Sequence, residues 1–312
     1  MFVSLQFKLE LKREDKEKLI QLMRKQSSAI RTAYNMLKEL EKEKTRNPHA
    51  QIYHRLRQLF PDLPTKYIDS AIYRVMRELG FPEPDVVAGH SLGEDSALVV
   101  AGGVELFEAV RLAHIRGKLM QEGVPEGKGA MAAILKLPPE KVESACEQAR
   151  QVGVVEPANY NSPEQIVISG EKTAVEKAME ICKEMGGKAI LLKVSVPSHC
   201  SLMKGPADAF RLKLAQTPIK NLSIPLVQNY TAREHTMAHE IRENLYRQLF
   251  SPVKWFQSVQ YMVEVLGVDT FVEIGPKNVL SKLVQQTVSG VRVFNVEKVE
   301  DLEKVKKNPI KN

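Results

Sequence analysis

A serine flanked by glycines is the first feature of this chain that can carry covalent chemistry. Gly89-His90-Ser91-Leu92-Gly93 fits the pattern Gly-x-Ser-x-Gly, and it follows the short apolar run Asp85-Val86-Val87-Ala88. A strand-to-helix turn tight enough to expose a serine Oγ strains the backbone, and flanking glycines remove the Cβ clashes. The serine then heads a helix, where the dipole and free N–H groups favour a developing oxyanion. The N–H of Leu92 would be one such donor. Taken alone, the same five residues also suit an ordinary glycine-rich turn.

A nucleophilic serine needs a base. The chain has seven histidines: His49, His54, His90, His114, His199, His235 and His239. His199 stands at a strand end, in Val196-Pro197-Ser198-His199-Cys200-Ser201. Strand ends at one rim of an α/β sheet are where reactive groups gather. Arg116, in His114-Ile115-Arg116-Gly117, lies on the helix after the serine turn. A guanidinium fork can hold a carboxylate with two hydrogen bonds, although an arginine on a helix is also an ordinary solvated charge.

The elements that must position these groups are legible as changes of period. Residues Phe2 to Lys12 alternate apolar and polar, as a strand does. Charged helical patterns fill Arg13 to Lys44, then a stretch to Phe60, then Thr65 to Leu79, broken by Asn47-Pro48, Pro61, Pro64 and Gly80. Strand, sharp turn and helix follow, with helical character over Ala97–Val100 and Leu106–Met120. From Gly129 to Val196 the order is βαββαβ: strands at Met131–Leu135, Val154–Tyr160, Gln165–Ser169 and Ala189–Val196, helices at Pro138–Gln151 and Thr173–Met185. That order predicts a ferredoxin-like subdomain inserted in a larger α/β domain. Later come helices to about Gln216, over His239–Phe250, over Val253–Leu266 and over Val279–Thr287. Strands are expected at Leu226–Asn229, Thr270–Glu273 and Val291–Asn295, and Lys298–Asn312 reads as a charged tail.

Composition narrows the class. With 312 residues, 43% hydrophobic and 27% charged, the chain suits one large or two modest globular domains. The three cysteines, Cys146, Cys182 and Cys200, have neither metal nor disulfide spacing, which fits a reducing cytoplasm and no metal. No apolar run reaches membrane-spanning length. The net charge of +7 is uneven, since residues 1–72 hold 15 basic and 9 acidic side chains. Nucleic-acid binding is therefore conceivable only for that first part, where alternation of Lys and Arg with Glu better fits a solvated helix face.

Several ordered motifs resemble the malonyl-CoA:acyl carrier protein transacylase family over about Tyr73 to Val296. They are Gly-His-Ser-Leu-Gly-Glu at 89–94, Arg116-Gly117 with Met120-Gln121, and Gly129-Ala130-Met131-Ala132-Ala133. Asn159-Tyr160-Asn161-Ser162-Pro163, Pro197-Ser198-His199, Gln248 with Ser251-Pro252-Val253, and Glu273-Ile274-Gly275-Pro276 complete the set. The resemblance implies that Ser91 is the acylated nucleophile and His199 its base and acid, oriented by a backbone carbonyl near Gln248. It implies that Arg116 clamps the malonyl carboxylate, with Gln248 lining the same pocket and Leu92 N–H in the oxyanion hole. Malonyl-CoA and acyl carrier protein would be the substrates, in fatty acid biosynthesis, with no metal or redox cofactor. Asp95 departs from the tyrosine more usual after Glu94.

The larger departure is at the front. The family's Gly-Gln-Gly-Ser-Gln loop, a second oxyanion donor, does not occur in residues 1–72, and a sheet lacking its first strand is expected. Residues 1–72 instead resemble the N-terminal part of transposon-encoded TnpB-type proteins, through the opening strand, Ser27 to Asn35 and Leu63 to Ala71. The chain thus reads as a fusion. A basic segment 1–72 precedes an α/β acyltransferase core of hydrolase-like parallel sheet at 73–128 and 197–297. The ferredoxin-like subdomain at 129–196 is inserted in that core, and the tail at 298–312 closes the chain. The competing readings are an inactive chimera and a general serine hydrolase. A clamp for a charged acyl group at Arg116 argues against the hydrolase.

Overall fold

The computed structural model describes residues 2–3, 83–194, 196–275, 277–296 and 301. The helical patterns between Arg13 and Leu79, the TnpB-like motifs at Ser27 to Asn35 and Leu63 to Ala71, the opening strand beyond Val3, His49, His54 and most of the charged tail lie outside the described residues. By compactness the chain divides into one unit of residues 1–4, 84–273 and 278–294, and another of 5–83, 274–277 and 295–312. In the second unit, Gly275 N–H donates to the Val296 carbonyl at 3.1 Å. Asn295 Nδ2 there donates to the carbonyls of Gly275 and Lys277 at 3.3 and 2.6 Å.

The strands in chain order are β1 (Phe2–Val3), β2 (Val87–Ala88), β3 (Gly129–Leu135), β4 (Val155–Ser162), β5 (Gln165–Glu171) and β6 (Lys188–Leu191). They continue with β7 (Leu226–Gln228), β8 (Arg233–His235), β9 (Thr270–Ile274) and β10 (Arg292–Val296). The helices are α1 (Gly93–Val100), α2 (Leu106–Gly123), α3 (Pro139–Ala149), α4 (Lys172–Glu184), α5 (Lys204–Gln216), α6 (Ala238–Gln248), α7 (Trp255–Glu264) and α8 (Val279–Thr287).

Six strands form one sheet in the order β10-β9-β1-β2-β7-β8. It is mixed, where a parallel core was expected. β2 runs parallel to β7, while β1 runs antiparallel to both β2 and β9, and β8 antiparallel to β7. The reason is local in one case: the four residues between β7 and β8 allow only a hairpin return. The vacant place expected in this sheet is filled, because β1 pairs Phe2 with Ala88 on one side and with Glu273 on the other. Beneath lie Val86, Ala88, Val227, Trp255, Val259, Phe271 and Val284, all buried in one apolar cluster.

The other sheet has the order β4-β5-β3-β6, and its pairs are antiparallel. Its buried side chains Ala132, Ile134, Ile166 and Ile168 meet Val142 and Ala145 of α3 and Val175 and Ala178 of α4. Pro139 opens α3, where a missing N–H costs nothing. β6 is shorter than its apolar pattern predicts. It pairs with only Ala132 to Leu135 of β3, and Ile190 and Leu191 are exposed on this sheet edge.

Candidate active site

The serine turn is built as its glycines require. A Cβ on Gly89 would lie 2.0 Å from the Gly93 carbonyl oxygen. No larger residue fits without moving the start of α1 away from the end of β2. Ser91 itself takes φ = 51°, a left-handed conformation that costs a non-glycine residue about 1 kcal/mol or more. The helix begins at once: Gly93 N–H bonds the His90 carbonyl at 2.9 Å and Glu94 N–H bonds that of Ser91 at 3.0 Å. Leu92 is the N-cap of this helix, and its N–H lies at the helix head.

His199 reaches the serine from 108 residues away in sequence, with Nε2 2.7 Å from Ser91 Oγ. Its Nδ1 lies 2.7 Å from the Gln248 carbonyl oxygen. A carbonyl only accepts, so Nδ1 carries the proton and Nε2 is the bare acceptor that faces the serine hydroxyl. His199 also has a left-handed backbone, φ = 63°, and its N–H donates to the Leu249 carbonyl at 3.1 Å. Burial, then the Arg116 charge, pushes the imidazole down to about 3, against the opposing pull of the Gln248 carbonyl. The ring is therefore a neutral base at neutral pH.

Arg116 projects from α2 into the same cluster and is buried. Its Nη2 donates to Ser91 Oγ at 3.1 Å and to Gln248 Oε1 at 3.0 Å. Gln248, at the end of α6, thus serves twice: its carbonyl orients His199 and its side chain meets Arg116. The Gln248 amide nitrogen donates to the Ser91 carbonyl at 3.1 Å and to Glu94 Oε2 at 2.9 Å. Ser91, His199, Arg116 and Gln248, the residues singled out in the sequence with Leu92, form one hydrogen-bonded cluster. His114, His235 and His239 take no part in any of these bonds; His235 instead pairs with Thr231 at 3.1 Å.

Three further residues, Asn229, His90 and Glu94, hold the turn without having been assigned a role by sequence. Asn229 Oδ1 accepts from Ser91 N–H at 2.7 Å, and its Nδ2 donates to the Gly89 carbonyl at 2.7 Å. Its signal was positional: it follows β7, the parallel neighbour of β2, at the same rim of the sheet. His90 Nε2 donates to Asn161 Oδ1 at 2.8 Å, and its ring packs on Trp255 with centroids 5.6 Å apart. Glu94 is fully buried, and burial pushes its carboxyl up to about 7 while the N–H groups of Asn229, Gln228 and Gln248 pull it down. Asp95 is also buried; desolvation pushes it up to about 6 and the Arg116 charge opposes this. Among the described residues no group of three or more His, Cys, Asp or Glu side chains is arranged to hold a metal, and no helix is long and apolar enough to cross a membrane.

A hydroxyl facing a neutral imidazole, beside a buried guanidinium and a helix head, can form and release an ester at Ser91 and can select an acyl group that carries a negative charge. Comparison with known proteins agrees with this chemistry. The model of a family described as the acyl transferase domain matches residues 29–309, starting well before Tyr73. The malonyl CoA-acyl carrier protein transacylase of Escherichia coli K12 is 48% identical over 219 residues, 70% of this chain and 71% of that protein. The crystal structure of an acyl carrier protein S-malonyltransferase from Vibrio cholerae superposes with a TM-score of 0.75 at 44% identity, covering 77% of this chain and 78% of that one. A malonyl-transacylase solved in complex with a type II PKS acyl-carrier protein gives a TM-score of 0.75 at 43% identity, with the same coverage of 77% and 78%.

Proposed function

This chain belongs to the acyl transferase domain family, and from that premise we propose that it moves malonyl from coenzyme A to the phosphopantetheine thiol of acyl carrier protein. The activity is that of an acyl-carrier-protein S-malonyltransferase, which serves fatty acid biosynthesis. The observation that carries the reading is the convergence on one oxygen: Ser91 Oγ lies 2.7 Å from His199 Nε2 and 3.1 Å from Arg116 Nη2.

In the first half-reaction His199 Nε2 takes the Ser91 proton as Oγ attacks the thioester carbonyl. The oxyanion forms toward the Leu92 N–H at the head of α1. The C–S bond then breaks, and the departing thiolate takes the proton from His199. The carrier thiol repeats these steps in reverse order on the Ser91 ester. Arg116 holds the free malonyl carboxylate; an acetyl group would leave the guanidinium without that partner. None of these steps draws on a metal or redox cofactor.

Labelled malonyl-CoA mixed with the pure protein tests the reading. A malonyl ester on the peptide containing Ser91, discharged by carrier protein, is expected; no ester on the wild-type protein would overturn it.

A second reading is favoured by one observation, the lack of a Gly-Gln-Gly-Ser-Gln loop in residues 1–72. Loss of one oxyanion donor costs about 10²–10³ in rate. On this reading the chain is a weak chimera whose first 72 residues are TnpB-like, and grafting the loop raises labelling by about that factor. The four-stranded sheet of β3 to β6 is the ferredoxin-like subdomain, set in a hydrolase-like core. The three cysteines, all unpaired, support a cytoplasmic setting.

A further inference from the structure

Behind the site lie buried side chains whose hydrogen bonds match in only one sense. Asn244 Nδ2 donates to Gln228 Oε1 at 2.9 Å, and Gln228 Nε2 donates to Glu94 Oε1 at 2.8 Å. Glu94 Oε2 accepts from the backbone N–H of Asn229 at 2.9 Å and from Gln248 Nε2 at 2.9 Å. A backbone N–H cannot be turned round, so whatever atom occupies the Oε2 position must be an acceptor. Gln248 shares that acceptor and so presents its nitrogen inward. Its Oε1 is left facing outward, 3.0 Å from Arg116 Nη2. With the amide reversed, two donors would oppose each other at Arg116, and the guanidinium would leave Ser91 Oγ.

We propose, resting on the reading of Arg116 as the malonyl clamp, that Glu94 is a positioning residue for acyl-group selection: it fixes the polarity of the Gln248 amide and so aims Arg116. The Ser91 carbonyl, 3.1 Å from Gln248 Nε2, favours the same sense. Glu94 faces three donors, and in its ionised form it is a charged acceptor, whose bonds are about twice as strong as neutral ones. Glu94 also supports Asn229 and hence the serine turn, but that role serves every acyl donor alike. The role proposed here shows only in the choice between donors.

The measurement is the ratio of Ser91 acylation rates with malonyl-CoA and acetyl-CoA, in which damage shared by both donors cancels. Glu94→Leu removes the acceptor, and its ratio should fall about tenfold or more. Glu94→Gln should hold the ratio within about threefold, because the Asn229 N–H keeps the Gln carbonyl oxygen at the Oε2 position. In that variant the mismatch moves to Gln228, away from the site, so Glu94→Gln combined with Gln228→Glu should regain the lost Tm. A Glu94→Leu protein that keeps the wild-type ratio overturns the proposal, as does a Glu94→Gln protein that loses it. If Glu94→Leu does not fold, the same ratio in Gln248→Leu decides: a fall of about tenfold or more supports the aiming of Arg116 through the Gln248 amide, and an unchanged ratio overturns it. A wild-type protein that forms no malonyl ester overturns the functional reading together with this one. A wild-type protein that prefers malonyl, with variants that do not shift, overturns this one alone.

Discussion

At the scale of the residue, the pH response of acylation follows from what surrounds His199. A base whose folded value is lowered stays neutral until the pH falls through that value. The acid limb of single-turnover acylation, measured with saturating malonyl-CoA, should therefore lie well below the ordinary imidazole value of 6.5, toward the 3 to which burial and Arg116 push it. Arg116→Ala removes the second of those causes and should move the limb upward. The same substitution should cut kcat/KM for malonyl-CoA, because truncating one partner of a buried charged pair costs roughly 2–5 kcal/mol, while acetyl-CoA should lose far less. His199→Ala should slow ester formation by about 10²–10⁴-fold, read by quenched-flow labelling. Ser91, His199 and Arg116 were legible as residue types in sequence, and Gln248 through its family motif. The part played by Glu94 was not, because its three donors come from residues 134 to 154 positions away.

At the scale of the element, the joint between β2 and α1 sets the backbone of Ser91. Gly89→Ala would drive a methyl group into the Gly93 carbonyl. Overpacking of this kind costs ~1–3 kcal/mol or more, so a lowered Tm by calorimetry and loss of Ser91 labelling should appear together. Most elements after residue 83 stood out in the sequence: α3 and α4 bury one clear face each, and β3 and β5 are short apolar runs buried along nearly their whole length. α1 was read too short: its first turn is Gly93-Glu94-Asp95, and two buried carboxylates there look like a solvent face in sequence. β6 was read too long, because an apolar run can extend past the last partner residue of its neighbour, and Leu192 N–H still reaches the Met131 carbonyl at 2.9 Å. The filled place between β2 and β9 was hidden as well. Pairing of Phe2 across the sheet is a non-local choice that alternation alone does not specify.

At the scale of the whole molecule, the proposed route has a single serine meet two large thiol substrates in turn. Initial rates with malonyl-CoA and carrier protein varied together should give parallel double-reciprocal lines, and intersecting lines would mean that both substrates bind at once. The three cysteines bear on how such a protein lives among thioesters. Cys146, Cys182 and Cys200 are all buried, and desolvation pushes their thiols up to about 12, 11 and 11. Reactivity follows the thiolate, so these sulfurs should be poor acyl acceptors and slow to alkylate, which mass spectrometry after maleimide treatment of the folded protein checks. Maleimide added with malonyl-CoA alone should therefore cap the released coenzyme A, and so prevent reversal, while Ser91 goes on being loaded.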